Sequence, residues 1–275
     1  YCVDAPIAAR DSNEPFDLIP AAALAIPRFR QLAFALPPVG LCCALKPHAL
    51  LHALNCYGAS RVLYLDNDVA LYRHPAEFLL ALESSTLLLT AHLLGPLPPQ
   101  VRPNEEEILA YGPWNAGLFA VVANPDVTNF LRWWGEVMLD PRRISGDNGW
   151  DQPWLSFAPA FVARTQVLRD PGYNVAVWNL PQRPLRLANG SWIAGDVPLT
   201  AFHFSWFDEK NPDQFLRPGS SCNLQPTATL VSLGREYAAE LARVRREIET
   251  YSTCEFSRYS DGRPVEQWQR QFLAH

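Results

Sequence analysis

Two aspartates separated by a single residue are the sequence feature best suited to chemistry. Asp66 and Asp68 directly follow the apolar run Arg61–Leu65, which has the pattern of a buried parallel strand. Carboxylate oxygens are the ligands that hard divalent cations such as Mg²⁺ and Mn²⁺ prefer. A cation held at the end of a strand keeps open positions for phosphate oxygens. The pair therefore indicates a divalent-cation site. A solvated turn is the alternative, since Asp and Asn favour turns.

The elements around the acidic pair alternate between helix and strand. The sequence predicts the end of a strand at residues 1–3, a helix over 49–55, a strand over 61–65, a helix over 76–82 and a strand over 86–90. Pro47 is expected in the first turn of the first helix, where its missing N–H costs little. This order predicts an α/β fold with a mixed, mainly parallel sheet flanked by helices. Ligands of such sheets lie beyond the carboxyl ends of strands, which is where the pair falls.

The second half of the chain is richer in aromatic residues and prolines. Its predicted elements are a strand over 117–122, a helix over 128–139, short strands near 197–204 within a loop-rich stretch, and a helix over 229–250. The last helix carries apolar residues at steps of three or four, which gives it one buried stripe. We expect a catalytic domain over residues 1–226 and a C-terminal helix and tail over 227–275 that pack on it.

Composition and charge exclude several classes of protein. The chain has 23 Lys and Arg against 28 Asp and Glu, and its basic residues are scattered. A nucleic-acid-binding protein usually carries a basic patch, so we expect no nucleic-acid partner. No apolar run approaches the roughly 18 residues of a transmembrane segment, and the N-terminus lacks signal-peptide features. Six Cys in such a chain are more typical of free thiols than of disulfides. These features favour a cytoplasmic location, with any membrane contact peripheral and at the inner face.

Two other uses of a closely spaced acidic pair match the sequence less well. An EF-hand loop needs Gly at its sixth position, and counting from Asp66 this position is Leu71. Residues 66–70 resemble the nucleophile motif of haloacid-dehalogenase-type phosphohydrolases, and Thr90 and Asp147 resemble later motif residues. That resemblance implies a phosphate-binding Lys between the Thr and the second acidic motif, but this stretch contains no Lys. A phosphohydrolase with Asp66 as nucleophile stays an alternative.

Five sequence blocks resemble, in their order, the nucleotide-sugar glycosyltransferases of the GT-A fold. They are RVLYLDNDVALYRHPAEFLLAL at 61–82, WNAGLFAV at 114–121, WDQPWL at 150–155, PGYNVAVWNL at 171–180 and FHFSWF at 202–207. The fourth is similar to transferase domains of bacterial surface-polysaccharide synthesis, and the others to glycosyltransferase family 8 and related bacterial enzymes. The resemblance implies a GT-A, Rossmann-like fold and a transferase that uses Mn²⁺ or Mg²⁺.

The same resemblance implies roles for individual residues. It implies that the metal ligands are Asp66, Asp68 and His203, with Asp66 also near the ribose. It implies that the donor is bound by Lys46, Asp66, Asn67, Asn115 and Gly117. Asp151 and Gln152 would face the sugar or the acceptor, where Asp151 could act as a general base. The donor would be a nucleotide-diphosphate sugar, with UDP favoured, and the acceptor a glycan or a lipid-linked molecule.

Departures from the family pattern leave a further alternative open. In family 8 enzymes, the late His is followed by a Lys-Pro-Trp sequence that binds the diphosphate. In this chain, Lys210 is followed by Asn-Pro. A degenerate GT-A domain that binds without catalysis is therefore the second alternative. Trp150 and Trp154, beside the Asp-Gln pair, are candidate contacts of the acceptor, although large aromatic residues mostly fill cores.

A second group of metal-ligating residue types lies on the first predicted helix. His48, His52 and Cys56 follow one another at i, i+4 spacing, with Cys42 and Cys43 just before them. Such spacing can place zinc ligands on one face, but three ligands from one helical stripe rarely surround an ion tetrahedrally. A helix face whose His residues make ordinary hydrogen bonds is the alternative.

Overall fold

The computed structural model describes residues 16–17, 19–143, 150–247 and 255–274. The strand predicted at residues 1–3, Asp147 and the end of the helix predicted over 229–250 lie outside the described residues. The helices are α1 (Phe29–Ala35), α2 (Pro38–Cys56), α3 (Ala76–Ala81), α4 (Glu105–Tyr111), α5 (Pro125–Met138), α6 (Gln152–Leu155), α7 (Ala158–Phe161), α8 (Ala228–Glu247) and α9 (Gln267–Ala274). The strands are β1 (Arg61–Leu65), β2 (Val69–Leu71), β3 (Leu87–Ala91), β4 (Trp114–Val122), β5 (Thr165–Leu168), β6 (Leu185–Ala188), β7 (Ser191–Ala194), β8 (Val197–Pro198) and β9 (Ala201–His203). Short 3₁₀ segments cover Ala21–Leu24, Pro141–Arg143 and Glu255–Ser257.

The central sheet has four strands in the order β1-β4-β3-β5, so the expectation of an α/β fold with a mixed sheet is confirmed. β4 runs antiparallel to both of its neighbours, β1 and β3, while β3 and β5 are parallel. β1, β3 and β5 point the same way, but only one of the three pairings is parallel, so the expectation of a mainly parallel sheet was wrong. The apolar composition of β4 predicted a strand without fixing its direction. Because β4 is reversed, its first residues lie beside the carboxyl ends of β1 and β3.

Helix α2 lies against the sheet and differs from the sequence prediction. Its first turn contains Pro38, so Pro47 falls in the interior of the helix, and the prediction that Pro47 opens it was wrong. The apolar residues Leu41 and Leu45 extend the buried face upstream of Pro47, which explains the earlier start. An internal Pro lacks the N–H that would bond to the Cys43 carbonyl. α2 packs on α5, and together they cover the first core, which includes Phe119, Phe130 and Trp134.

A two-stranded ribbon outside the central sheet brings the late segment of the chain back to the acidic pair. β2 begins one residue after Asp68 and pairs antiparallel with β9, with Val69 opposite His203. The hairpin β6–β7 and the short strand β8 form a separate sheet. Successive residues of β9 point to opposite faces, so Phe202 enters the second core while His203 faces the acidic turn.

The C-terminal segments pack on this framework. Leu230 and Leu233 of α8 are buried in the second core, and the ring of Tyr237 stacks on Phe204 at a centroid distance of 3.7 Å. Farther along, the guanidinium of Arg270 on α9 donates hydrogen bonds to backbone carbonyls at the end of α1, including that of Leu36 at 2.6 Å. None of the helices in the described ranges is long and apolar enough to span a bilayer.

Replacing Leu233 by Ala should lower the free energy of unfolding by about 2–5 kcal/mol, because the side chain is fully buried between α8 and the second core. Leu109→Ala is the matched control, since Leu109 of α4 is 71% exposed. Its effect should stay within about 0.5 kcal/mol. Urea unfolding followed by circular dichroism measures both values. Equal, small losses in the two variants would contradict the packing of α8 on the core.

Candidate metal centre

The acidic pair lies in a turn whose backbone is fixed on both sides. The Val69 amide donates to the Asp66 carbonyl at 3.1 Å, which closes the turn. The Asp66 amide donates to the Gly117 carbonyl of β4 at 2.8 Å, and the Phe204 amide donates to the Asp68 carbonyl at 2.8 Å. The side chains of Asp66 and Asp68 are half-buried, at 26% and 38% exposure. Backbone hydrogen bonds to β4 and to the residue after β9 therefore set the position of this turn.

Three side chains that the sequence nominated as metal ligands converge at this turn. Asp66, Asp68 and His203 each offer one ligand atom, and these three atoms lie within 4.8 Å of one another. Ligand atoms lie roughly 2.0–2.6 Å from Mg²⁺ or Ca²⁺, so two of them on one ion are at most about 5 Å apart. The three residues thus fit a single divalent cation. Within the described ranges, no other group of three His, Cys, Asp or Glu side chains meets this distance.

Asp68 and His203 are in direct contact, with 3.0 Å between Asp68 Oδ1 and His203 Nε2. Burial of Asp68 opposes ionisation, but the hydrogen bond from His203 and its charge outweigh that effect, so the pKa of Asp68 is lowered. A metal ion bound here would displace the proton shared by these two atoms, because a ligand nitrogen must be unprotonated. Asn67, between the two aspartates, is exposed at the tip of the turn. Its predicted contact with the donor stays a prediction.

Gly117 leaves the space into which two of these side chains project. A Cβ atom at this position would lie 2.6 Å from Asp66 Oδ2 and 2.6 Å from His203 Cε1. Real Cβ atoms essentially never come that close, so only Gly fits between these side chains. The sequence resemblance implied that Gly117 lies at the donor, because a Gly lets a ligand approach the backbone closely. The structure shows a close approach, and its partners are the metal-ligand candidates.

Asn115 is buried next to Gly117, and its amide is engaged within the protein. Its Oδ1 accepts a hydrogen bond from the Gly117 amide at 2.8 Å, and its Nδ2 lies 3.2 Å from His92 Nε2. His92 follows β3, and the sequence analysis missed it. β3 and β1 run in the same direction, so their carboxyl ends share one edge, and this rule could have found His92. The predicted contact of Asn115 with the donor sugar stays a prediction.

The side chain of Lys46 on α2 extends to the acidic turn and contacts Asp66. Its Nζ lies 3.1 Å from Asp66 Oδ1 and 2.7 Å from Asp151 Oδ2, and it donates to the Ala116 carbonyl at 3.0 Å. Burial disfavours the charged ammonium, but the attraction of Asp151 and Asp66 outweighs it and raises the pKa of Lys46 well above its usual value. An ammonium has three N–H donors, and these three partners account for all of them. Donor binding by Lys46, which the resemblance implies, would therefore require one of these partners to leave, and it stays a prediction.

Tyr64 is a second functional neighbour that the sequence analysis missed. Its hydroxyl donates to Asp66 Oδ1 at 2.9 Å, and its ring stacks on Phe119 at 5.3 Å. Burial raises the pKa of Tyr64 far above its usual range, so the hydroxyl keeps its proton. The alternation of side chains along β1 is the signal that could have found it, because Tyr64 lies on the same side as Asp66.

The two predicted catalytic residues stand at the start of α6 and point into the protein. Asp151 is buried, at 3% exposure, against Lys46. The Gln152 side chain accepts from the Ala116 amide at 3.0 Å and donates to the Tyr111 carbonyl at 3.0 Å. In this arrangement Asp151 is not open to an acceptor hydroxyl, and Gln152 joins α6 to β4. Their direct contact with the sugar or the acceptor stays a prediction.

The aromatic acceptor candidates pack against the first core. The Trp150 ring lies so close to Gly40 of α2 that a Cβ there would be 2.5 Å from it, and the Trp154 ring meets Trp133 edge-on at 6.2 Å. Both side chains are half-buried. This arrangement gives each of them a packing role, and acceptor binding stays a prediction.

The zinc cluster suggested by the first helix does not form among the described residues. His48 packs against Gly135 of α5, with 3.0 Å between its Cε1 and the position of a Gly135 Cβ. The His52 ring meets Tyr57 edge-on at 5.6 Å, and Cys56 is exposed. Cys43 is turned toward Asp151, and burial raises the pKa of its thiol. Residues one turn apart on a helix thus contact different neighbours, so His48, His52 and Cys56 pack separately and do not surround one ion.

Comparisons with known proteins add little to this geometry. No protein-family model matches the chain. It is similar to the uncharacterized protein YfnD of Bacillus subtilis (strain 168), at 22% identity over 237 residues, which cover 80% of this chain and 69% of YfnD. Support for a function of this chain therefore comes from the geometry of the site.

Gly117→Ala should weaken the binding of Mn²⁺ by about tenfold or more, because the new methyl group displaces Asp66 and His203. Gly95→Ala is the matched control, since a Cβ at Gly95 would meet only Gln182 Nε2 at 4.0 Å. Isothermal titration with MnCl₂ measures the affinity, and a thermal melt checks the fold. Equal affinity in the two variants would contradict the proposed centre.

His92 predicts a pH-dependent loss of stability. Burial lowers the pKa of His92 to about 4 from a usual 6.5, so the unfolded chain binds a proton that the folded chain rejects. Stability should fall as the pH drops from about 6.5 to about 4, with His92 contributing on the order of 3 kcal/mol. His92→Gln should remove this part of the loss, and the exposed His74→Gln should not. Urea unfolding at pH 7 and pH 4.5 checks this, and parallel losses in all three proteins would contradict it.

Proposed function

We propose that this protein is a metal-dependent glycosyltransferase of the GT-A fold. It would move a sugar from a nucleotide-diphosphate donor, with UDP favoured, to a glycan or lipid-linked acceptor in bacterial surface-polysaccharide synthesis. The observation that carries the proposal is the convergence of Asp66, Asp68 and His203 from distant segments onto one strand end. The sequence resemblance nominated the same three residues for one metal ion.

The charge balance of the site supports a cation with a diphosphate ligand. When ionised, the carboxylates of Asp66, Asp68 and Asp151 carry three negative charges against the single positive charge of Lys46. These four side chains sum to −2, without His203, whose shared proton a metal ion would displace. This charge would repel a diphosphate and attract a divalent cation. Bound there, Mn²⁺ or Mg²⁺ would neutralise the charge that develops on the departing nucleotide diphosphate.

The chain's own residues would contribute by holding and shaping the centre. Asp68 and His203 offer the two ligand atoms in closest contact, and Asp66 offers a carboxylate that Tyr64 and Lys46 already orient. Exposure of the turn on one side leaves room for a donor. Gly117 keeps the other side clear of side-chain atoms. A nucleotide diphosphate would thus approach from the solvent side of Asp68.

The phosphohydrolase alternative finds less support. Thr90, its second motif residue, lies on β3, which β4 separates from β1. Its hydroxyl is buried and donates to the Leu118 carbonyl at 2.6 Å. Asp66 is contacted instead by Tyr64 and Lys46. This alternative would be supported if the wild type released phosphate from a simple phosphomonoester and the Asp66→Asn variant did not.

Asp68→Asn should abolish the Mn²⁺-dependent binding of UDP, because it removes a charged ligand from the centre while keeping the side-chain shape. Asp196→Asn, at an exposed position on the β7–β8 turn, should bind as the wild type does. Isothermal titration with a panel of nucleotide diphosphates and their sugars, with and without MnCl₂, measures the difference. The proposal fails if the wild type binds no nucleotide diphosphate, or if Asp68→Asn binds UDP as tightly as Asp196→Asn.

A further inference from the structure

We propose that Asp151 is a positioning residue, which acts through Lys46 to present the Asp66 carboxylate to the metal ion. This inference rests on the proposed metal centre and not on the transfer reaction. The observation that supports it is a continuous chain of contacts from the start of α6 to the acidic turn. Asp151 lies 2.7 Å from Lys46 Nζ, which in turn lies 3.1 Å from Asp66 Oδ1.

The two oxygens of Asp66 have different surroundings. Oδ1 receives the Tyr64 hydroxyl at 2.9 Å and lies 3.1 Å from Lys46 Nζ, whose hydrogen bond to Oδ2 is longer, at 3.3 Å. Oδ2 is the oxygen that lies 2.6 Å from the position of a Gly117 Cβ, and His203 Cε1 is at the same distance from that position. Oδ2 and the His203 ring are therefore within about 5 Å of each other, which is the spacing of two ligands on one ion. Tyr64 and the closer approach of Lys46 thus hold Oδ1. Oδ2 has only the longer contact with Lys46 and lies on the His203 side of the carboxylate, so it is the oxygen that can meet a cation.

Asp151 is the group that keeps Lys46 from neutralising Asp66. Lys46 and Asp151 are both about 4% exposed, so water cannot replace either partner. Without the negative charge of Asp151, the ammonium would pair with Asp66 alone and compete with the metal ion for it. With Asp151 present, Lys46 divides its attraction between two carboxylates and a carbonyl. Asp66 then keeps enough negative charge to bind a cation while its orientation stays fixed.

A double substitution separates this role from a purely structural one. Removing one member of a buried ion pair leaves an uncompensated charge and destabilises the protein, whereas replacing both members with apolar residues is often neutral or stabilising. Lys46→Met with Asp151→Leu therefore should fold. It also keeps the wild-type net charge of the centre, since it removes one charge of each sign. Any loss of metal affinity then comes from the lost orientation of Asp66.

The test is the affinity of the full chain for Mn²⁺ alone, measured by the electron paramagnetic resonance signal of free Mn²⁺. The double variant should bind Mn²⁺ about 10- to 100-fold more weakly than the wild type, which is the usual cost of losing groups that orient a ligand. Arg243→Met with Glu240→Leu is the matched control, because it removes an exposed ion pair of 2.6 Å on α8. This control should bind Mn²⁺ as the wild type does.

A second measurement shows whether the effect passes through Asp66. In an Asp66→Asn background, the same double substitution should cause no further loss of Mn²⁺ affinity, because the residue it orients is no longer a charged ligand. A folded double variant with wild-type affinity would overturn the inference. So would a full additional loss in the Asp66→Asn background. Failure of the transferase proposal is distinct, because it would appear as absent nucleotide binding with these Mn²⁺ results unchanged.

Discussion

The antiparallel pairing of β2 with β9 is the interaction on which the metal centre depends. It places Val69 opposite His203, and so brings a side chain from late in the chain to within 3.0 Å of Asp68. Side chains of a strand alternate between its two faces, so a shift of the register by one residue would turn His203 away from the turn. The Phe204 amide, which donates to the Asp68 carbonyl, fixes that register beyond the last paired residue.

Two packed clusters hold β2 and β9 in place, and another lies behind the neighbouring strands β1 and β4. Tyr64 of β1 and Phe119 of β4 belong with the first cluster, and Leu118 and Ala201 with the third. Phe202, on the hidden face of β9, belongs to the second cluster, which α8 covers. The centre lies where these clusters meet. Its geometry is therefore a consequence of core packing on both sides, which gives the half-exposed carboxylates a rigid base.

The sequence could predict those features of the fold and the site that depend on local residue patterns. An apolar strand that stops at Asp66 predicted an acidic edge, and the ends of most of the predicted helices and strands agree with the structure to within a few residues. The short elements α1, α4, α6, α7, α9, β2, β5, β6 and β7 were not predicted. Local patterns do not determine the direction of a strand or which strands pair with each other. The reversal of β4 was not foreseen. Pro47 was misplaced because a proline favours the first turn of a helix, whereas this helix begins at Pro38. Strand direction and side-chain alternation could have indicated His92 and Tyr64, but the tertiary fold sets their contacts with Asn115 and Asp66. The tertiary fold likewise sets the contacts of Lys46, whose predicted role at the donor gave no hint of its buried ion pair with Asp151.

The most direct test of this account is the position of Mn²⁺ in crystals grown with MnCl₂ and UDP, located by the anomalous scattering of the metal. A metal centre at the acidic turn should give one strong anomalous peak enclosed by the side chains of Asp66, Asp68 and His203, with the diphosphate of UDP on the exposed side of the same ion. A peak at any other group of residues, or crystals in which UDP is bound and this corner holds no metal, would contradict it.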